Sequence, residues 1–105
     1  MFIGRVVGSL WATRKTGNTE GMKFLIIQPY NLDKEPNTDT VVAADVLGAG
    51  EGELVMVAYG RAARLAVEKE DSSIEAAVIG IIDEYEVKDE YYRGALDPEK
   101  VTFKK

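Results

Sequence analysis

Apolar runs separated by short polar, glycine-rich stretches set the layout of this chain. Ile3, Val6, Val7, Leu10 and Trp11 fall within Phe2–Thr13 together with Gly4 and Gly8, which predicts a strand bent at its glycines. Met22–Tyr30 predicts a second strand closed by Pro29, Val41–Leu47 a third, Glu53–Tyr59 a fourth and Ala76–Val87 a fifth. The polar segments Arg14–Glu20 and Asn31–Thr40 separate the first three as loops. Arg61–Lys69 has the alanines and long straight side chains of a short helix after Gly60, and Ser72–Glu75 fits a turn or cap before the last strand. Lys88–Lys105 is a charged C-terminal extension with Gly94 and Pro98; its ending, Val101-Thr102-Phe103, suits a short edge strand or an interface arm.

The strand pattern also bears on assembly. A barrel strand facing water on one side should alternate apolar and polar residues. Here Leu25, Ile26 and Ile27 are consecutive, Leu54–Val57 is wholly apolar, and Val78–Ile82 is apolar apart from Gly80. One short helix is little cover for outer faces of that extent, and exposed apolar surface of this size marks a protein interface. An obligate oligomer is therefore expected. The competing reading has bends and bulges folding both strand faces inward. Periodicity does not set the subunit number.

At 105 residues the chain suits one compact domain, and 46% apolar content is that of a folded protein. The all-β pattern with one late helix predicts a small five-stranded barrel of the oligonucleotide/oligosaccharide-binding (OB-like) type over residues 1–87, followed by the extension 88–105. The formal net charge of −5 argues against nucleic acid or an anionic membrane as partner, since both need clustered Lys and Arg. No cysteine or histidine occurs, which excludes disulfides, thiolate zinc sites, thiol nucleophiles and imidazole mechanisms within the chain. The N-terminus lacks a signal-peptide layout and no apolar run reaches membrane-span length, so a soluble cytoplasmic domain is expected.

Val41–Val57 is the most informative stretch. Its Gly48-Ala49-Gly50-Glu51-Gly52-Glu53 loop looks at first like a nucleotide-binding turn. The dinucleotide fingerprint needs a third glycine where Glu53 stands, then a helix; here a strand pattern follows, and Glu51 and Glu53 would repel phosphate. Asp45, Glu51, Glu53 and Asp83 are candidates for a metal or for acid–base work, but such residues are more often solvated turn acids or partners of a cation such as Arg64. No catalytic, metal or cofactor site is assigned. Trp11 and Tyr30 read as core or interface filling, and Arg14-Lys15 with Lys23 and Lys34 is too sparse for a nucleic-acid track. An OB-type single-strand-binding module is the alternative function, and a small carboxylate enzyme using Asp45 and Glu53 a third.

Five segments in order resemble the EutN/CcmL family, the pentameric vertex proteins of bacterial microcompartment shells of the carboxysome or metabolosome kind. Gly4-Arg5-Val6-Val7-Gly8 with Ala12-Thr13-Arg14-Lys15 is similar to the family's opening strand and its ending. Gly21-Met22-Lys23-Phe24-Leu25 resembles its Gly-x-Lys-Leu-Leu strand, and Val42–Glu53 its Val-Ala-x-Asp-x-Val-Gly-Ala-Gly-x-Gly-Glu core. Gly60-Arg61-Ala62-Ala63-Arg64 resembles the Gly-Ser-Ser/Ala-Ala-Arg turn, with Arg61 in place of the small serine, and Ala76–Asp83 the closing strand. Ser72–Glu75 departs from the family's Pro-x-Asp, and Val101–Lys104 is similar to the ending of some ethanolamine-type members.

The resemblance implies a structural, non-enzymatic role: a homo-pentamer capping the five-fold corners of a shell otherwise tiled by hexameric shell proteins, in the cytoplasm, with no cofactor. It further implies that Gly48, Ala49, Gly50, Glu51, Gly52 and Glu53 lie near subunit contacts or a central pore, although those residues equally suit a plain strand connection. Arg64, with its planar five-donor fork, suits an interface anchor, and Arg61 a pore or contact position.

Overall fold

The computed structural model describes residues 1–11, 21–30, 39–69, 71–87, 89–93 and 100–101. Loop Arg14–Glu20, positions 31–38, the Arg14-Lys15 pair, Lys34, Gly94, Pro98 and Thr102-Phe103 lie outside them.

Five strands close into a barrel in the order β1-β2-β3-β5-β4, with β1 Phe2–Leu10, β2 Lys23–Pro29, β3 Val41–Asp45, β4 Leu54–Tyr59 and β5 Ala76–Ile82. All pairings are antiparallel except β3 with β5, where Ala44 faces Ala77 in parallel. The expected small barrel with one short helix is what forms. Strand alternation sends Val6, Leu25, Ile27, Ala43, Val55, Val57 and Val78 into its interior, each no more than 1% exposed. Burying each of the larger ones contributes about 1.5–3 kcal/mol.

Two irregularities let apolar runs serve the core. β1 shifts register against β2 between Val6 and Gly8, and β4 against β5 between Met56 and Val57, where Ile79 is passed over. The helix α1, Gly60–Ala66, then lays Ala63 on the outside of β3, β4 and β5, joining Ala44, Ala58, Val67, Ile74 and Ala77 in a second core. Within one copy the helix covers part of the outer strand face, while Ile26, Ile79 and Ile82 stay half-buried and Met56 exposed.

Element ends differ from expectation for local reasons. β3 stops at Asp45 because its carboxylate captures the next backbone amides. The helix ends at Ala66 rather than Lys69; Val67 and Lys69 donate back to Ala63 and Arg64, and Glu68 sits at φ 58°. The expected single strand Ala76–Val87 is two: the chain leaves the barrel at Asp83. β6 (Glu84–Val87) then pairs with β7 (Glu90–Arg93), and β7 with β8 (Lys100–Val101), as a separate three-stranded arm. This arm makes the molecule long, 47 × 22 × 22 Å, with a radius of gyration of 14.6 Å against about 13 Å for a compact chain of this size.

Candidate assembly surface

The glycine-rich loop is a lid on the barrel end where β3 finishes and β4 begins. The Asp45 carboxylate, fully enclosed, accepts hydrogen bonds from the backbone N–H groups of Leu47 (3.0 Å), Gly48 (3.2 Å) and Ala49 (3.0 Å). Three amides on one carboxylate wrap the chain into a tight turn, which Gly48 completes at φ 85°. Lys23 lies 3.8 Å from the same carboxylate, and its ammonium donates to the Ala49 carbonyl at 3.4 Å. Ala49 is thereby turned inward, 0% exposed, against the barrel core.

The second half of the loop is fastened to β1. Gly50 N–H donates to the Glu53 carboxylate at 2.6 Å, and Glu53 N–H returns a bond to Gly50 O at 3.1 Å. Gly52, at φ 90°, brings its N–H to Val6 O at 2.7 Å, while Val6 N–H reaches Glu53 O at 2.9 Å. The Arg5 guanidinium donates to Gly52 O at 2.7 Å and lies 5.7 Å from the centre of the Tyr30 ring.

The structure thus brings residues 48–53 together, but not with Arg61 and Arg64. Those two lie on α1, beyond the far end of β4, whose six residues span about 20 Å. Arg64 donates to Ile74 O (3.2 Å) and to the Glu75 carboxylate (3.4 Å), tying α1 to the chain entering β5; Arg61 is exposed at the start of α1. Within the loop, Ala49 and Gly52 are buried by their own chain, whereas Gly48, Gly50 and Glu51 are exposed.

Two supports went unnoticed in the residue pattern, Arg5 and Lys23. The legible signal was Asp45 followed by Gly48 and Gly50, the composition of a side-chain-stabilised turn. The carboxylates are committed to structure: those of Asp45 and Glu53 hold backbone amides, and among the described residues no group of three or more Asp or Glu is placed to hold a metal.

What the surface does offer is uncovered apolar area. Val7, Val42 and Met56 remain 44%, 50% and 36% exposed on the outer faces of their strands, and Ile26 is half-buried between β1 and β3. The described residues thus form a small closed barrel whose outer strand faces carry uncovered apolar side chains. The chain belongs to the family described as "Ethanolamine utilisation protein EutN/carboxysome", whose model matches residues 1–83.

Its relatives agree. It is 45% identical over 83 residues to the carboxysome shell vertex protein CcmL of Thermosynechococcus vestitus, covering 79% of this chain and 84% of that one. It is 38% identical over 86 residues to the bacterial microcompartment shell vertex protein GrpN of Rhodospirillum rubrum, covering 82% and 97%. The solved structure of GrpN, described as a pentameric microcompartment shell protein, superposes with a TM-score of 0.73 at 37% identity, covering 83% of this chain and all of that one.

Proposed function

We propose that five copies of this chain form a ring that closes the five-fold vertices of a bacterial microcompartment shell. Membership of the EutN/CcmL family carries this reading, and the uncovered barrel exterior gives it a physical basis. A corner plug needs a wedge-shaped subunit, a contact between unlike faces that closes after five rotations, and a rim that fits its neighbours in the shell. In this proposal the rim meets hexameric shell proteins, and the role is structural rather than catalytic. Neither nucleic acid nor membrane is a partner; the acidic net charge supports that.

The loop of Gly48, Ala49, Gly50, Glu51, Gly52 and Glu53 then bears on subunit contacts or the central opening through its exposed members, with Ala49 and Gly52 shaping it from within. Arg61 and Arg64 do the same from α1. Native mass spectrometry of the purified protein tests the reading: five chains are expected, and a stable monomer at micromolar concentration refutes it. Co-assembly with the hexameric shell proteins of the same organism tests the second half. Closed particles should form only when this protein is present.

A further inference from the structure

The uncovered exterior is not one surface but two. The first tract is centred on β2, where the cross-strand row Gly8, Ile26, Val42 runs over three strands with Val7 beside it. The second is centred on β4, where Ile3, Met56 and Gly80 form another row, bordered by Ile82 across from Leu54. It opens into a concavity of about 580 Å³ lined by Met1, Ile3, Met56, Ile82, Glu84 and Tyr85 among others. The first tract runs over β1, β2 and β3 and the second over β1, β4 and β5, so the two share β1, while the helix α1 covers the outside where β3 and β5 meet. Their central strands, β2 and β4, lie two places apart in a closed ring of five strands and so face in directions an obtuse angle apart, the shape of a wedge in a ring. Among the described residues, the other exposed large apolar side chains, Trp11, Val46, Leu47, Tyr59 and Leu65, lie at strand ends, in the loop or on the helix and belong to neither.

Rotational symmetry makes this pairing significant. Subunits of a closed ring of five meet head to tail, so each copy must present two different patches that fit each other rather than one patch that fits itself. We infer that the β2 tract (Val7, Ile26, Val42) of one copy seats in the β4 concavity (Ile3, Met56, Ile82, Tyr85) of the next, a second copy of this chain being the occupant of both. The inference rests on the ring proposed above and adds its polarity. Stiff β-branched side chains stand on one side, while the other supplies a hollow with a flexible methionine at its floor to adapt to them. Glu84 and Tyr85 lie beyond residue 83, where the family match ends, so the arm of this chain contributes a wall of the hollow.

The absence of cysteine gives a clean probe. Val42→Cys and Met56→Cys in one chain, treated with a short bis-maleimide, should yield a ladder of covalent species reaching five chains. Each single variant should give no cross-linked species. A Val42→Cys single variant that cross-links and stops at two chains would show like faces meeting and overturn the assignment. So would a doubly substituted five-chain ring that gives no ladder.

Charged variants supply the second arm. Val42→Glu and Met56→Glu, both at exposed positions, should each fall from five chains to one with the far-ultraviolet spectrum unchanged. Mixed, they should form a two-chain species through their remaining good faces. Five-chain variants beside a five-chain wild type would defeat the facing assignment and leave the ring standing; a wild type of any other mass would defeat the ring itself.

Discussion

Removing the Asp45 carboxylate should unfasten the lid of the barrel. In Asp45→Ala the N–H groups of Leu47, Gly48 and Ala49 lose their acceptor together, and Lys23 loses its partner. Hydrogen bonds to a charged group contribute about 1.5–3 kcal/mol each, but the Leu47 and Gly48 amides are only partly buried and regain water. The Ala49 amide is buried, and leaving it unpaired costs about 1–3 kcal/mol. The Lys23 contact adds little, roughly 0–1 kcal/mol, because that side chain is half exposed. The net loss is about 3 kcal/mol, a large part of the stability of a small domain, which is about 5–15 kcal/mol at most. Chemical denaturation followed by circular dichroism at fixed protein concentration reads it. The thermal midpoint should fall by roughly 12 °C or more at about 4–8 °C per kcal/mol. Asp45→Asn keeps an acceptor without the charge and should lose about half as much. An Asp45→Ala protein within about 0.5 kcal/mol of wild type would refute the argument that this carboxylate builds the loop.

Gly4→Ala places a methyl against the Ile27 side chain, with Gln28 O and the Phe2 ring both at 3.1 Å. It should cost about 1–3 kcal/mol in the same denaturation assay. Arg64→Ala removes the bond to Ile74 O and should lower stability by about 1 kcal/mol, with Arg64→Lys recovering part of it. Fluorescence titration with single-stranded oligonucleotides at low salt should show no binding at micromolar protein; salt-sensitive micromolar affinity would overturn the exclusion of nucleic acid.

The barrel strands were legible because inward residues of half-buried strands alternate, as Leu25 and Ile27 do, and because Pro29 and Gly48 punctuate their ends. What stayed hidden is non-local. Glu84-Tyr85-Glu86-Val87 continues the strand chemistry of Ala76–Ile82, so nothing in its residue types says that it pairs with Glu90–Arg93 instead of the barrel. The bulge that passes over Ile79 is likewise a property of how β4 and β5 meet, not of either alone. The apolar runs Leu25–Ile27, Leu54–Val57 and Val78–Ile82 pointed to an interface, but composition does not tell Ile79, packed against the helix-side core, from Met56, left bare. In the loop, the glycines were visible. The fastening by Arg5 and Lys23 requires knowing that β1 and β2 run beside it.

The bare tracts also predict how stability depends on concentration. A self-contained barrel unfolds at a midpoint independent of how much protein is present, whereas a ring whose protomers fold and assemble together does not. For one pentamer dissociating into five unfolded chains, each tenfold rise in protomer concentration adds four fifths of RT ln 10 per chain, about 1.1 kcal/mol; a dimer would add about 0.7 kcal/mol and a monomer nothing. Over a hundredfold range the wild-type protein should therefore gain about 2 kcal/mol per chain, a shift of roughly 8 °C or more in the thermal midpoint. Val42→Glu, with the β2 tract spoiled but the interior untouched, should show none of it. A wild-type midpoint that stays constant across that range would mean that the barrel holds itself together without its neighbours. The exposed Val42 and Met56 would then contribute nothing to stability through assembly.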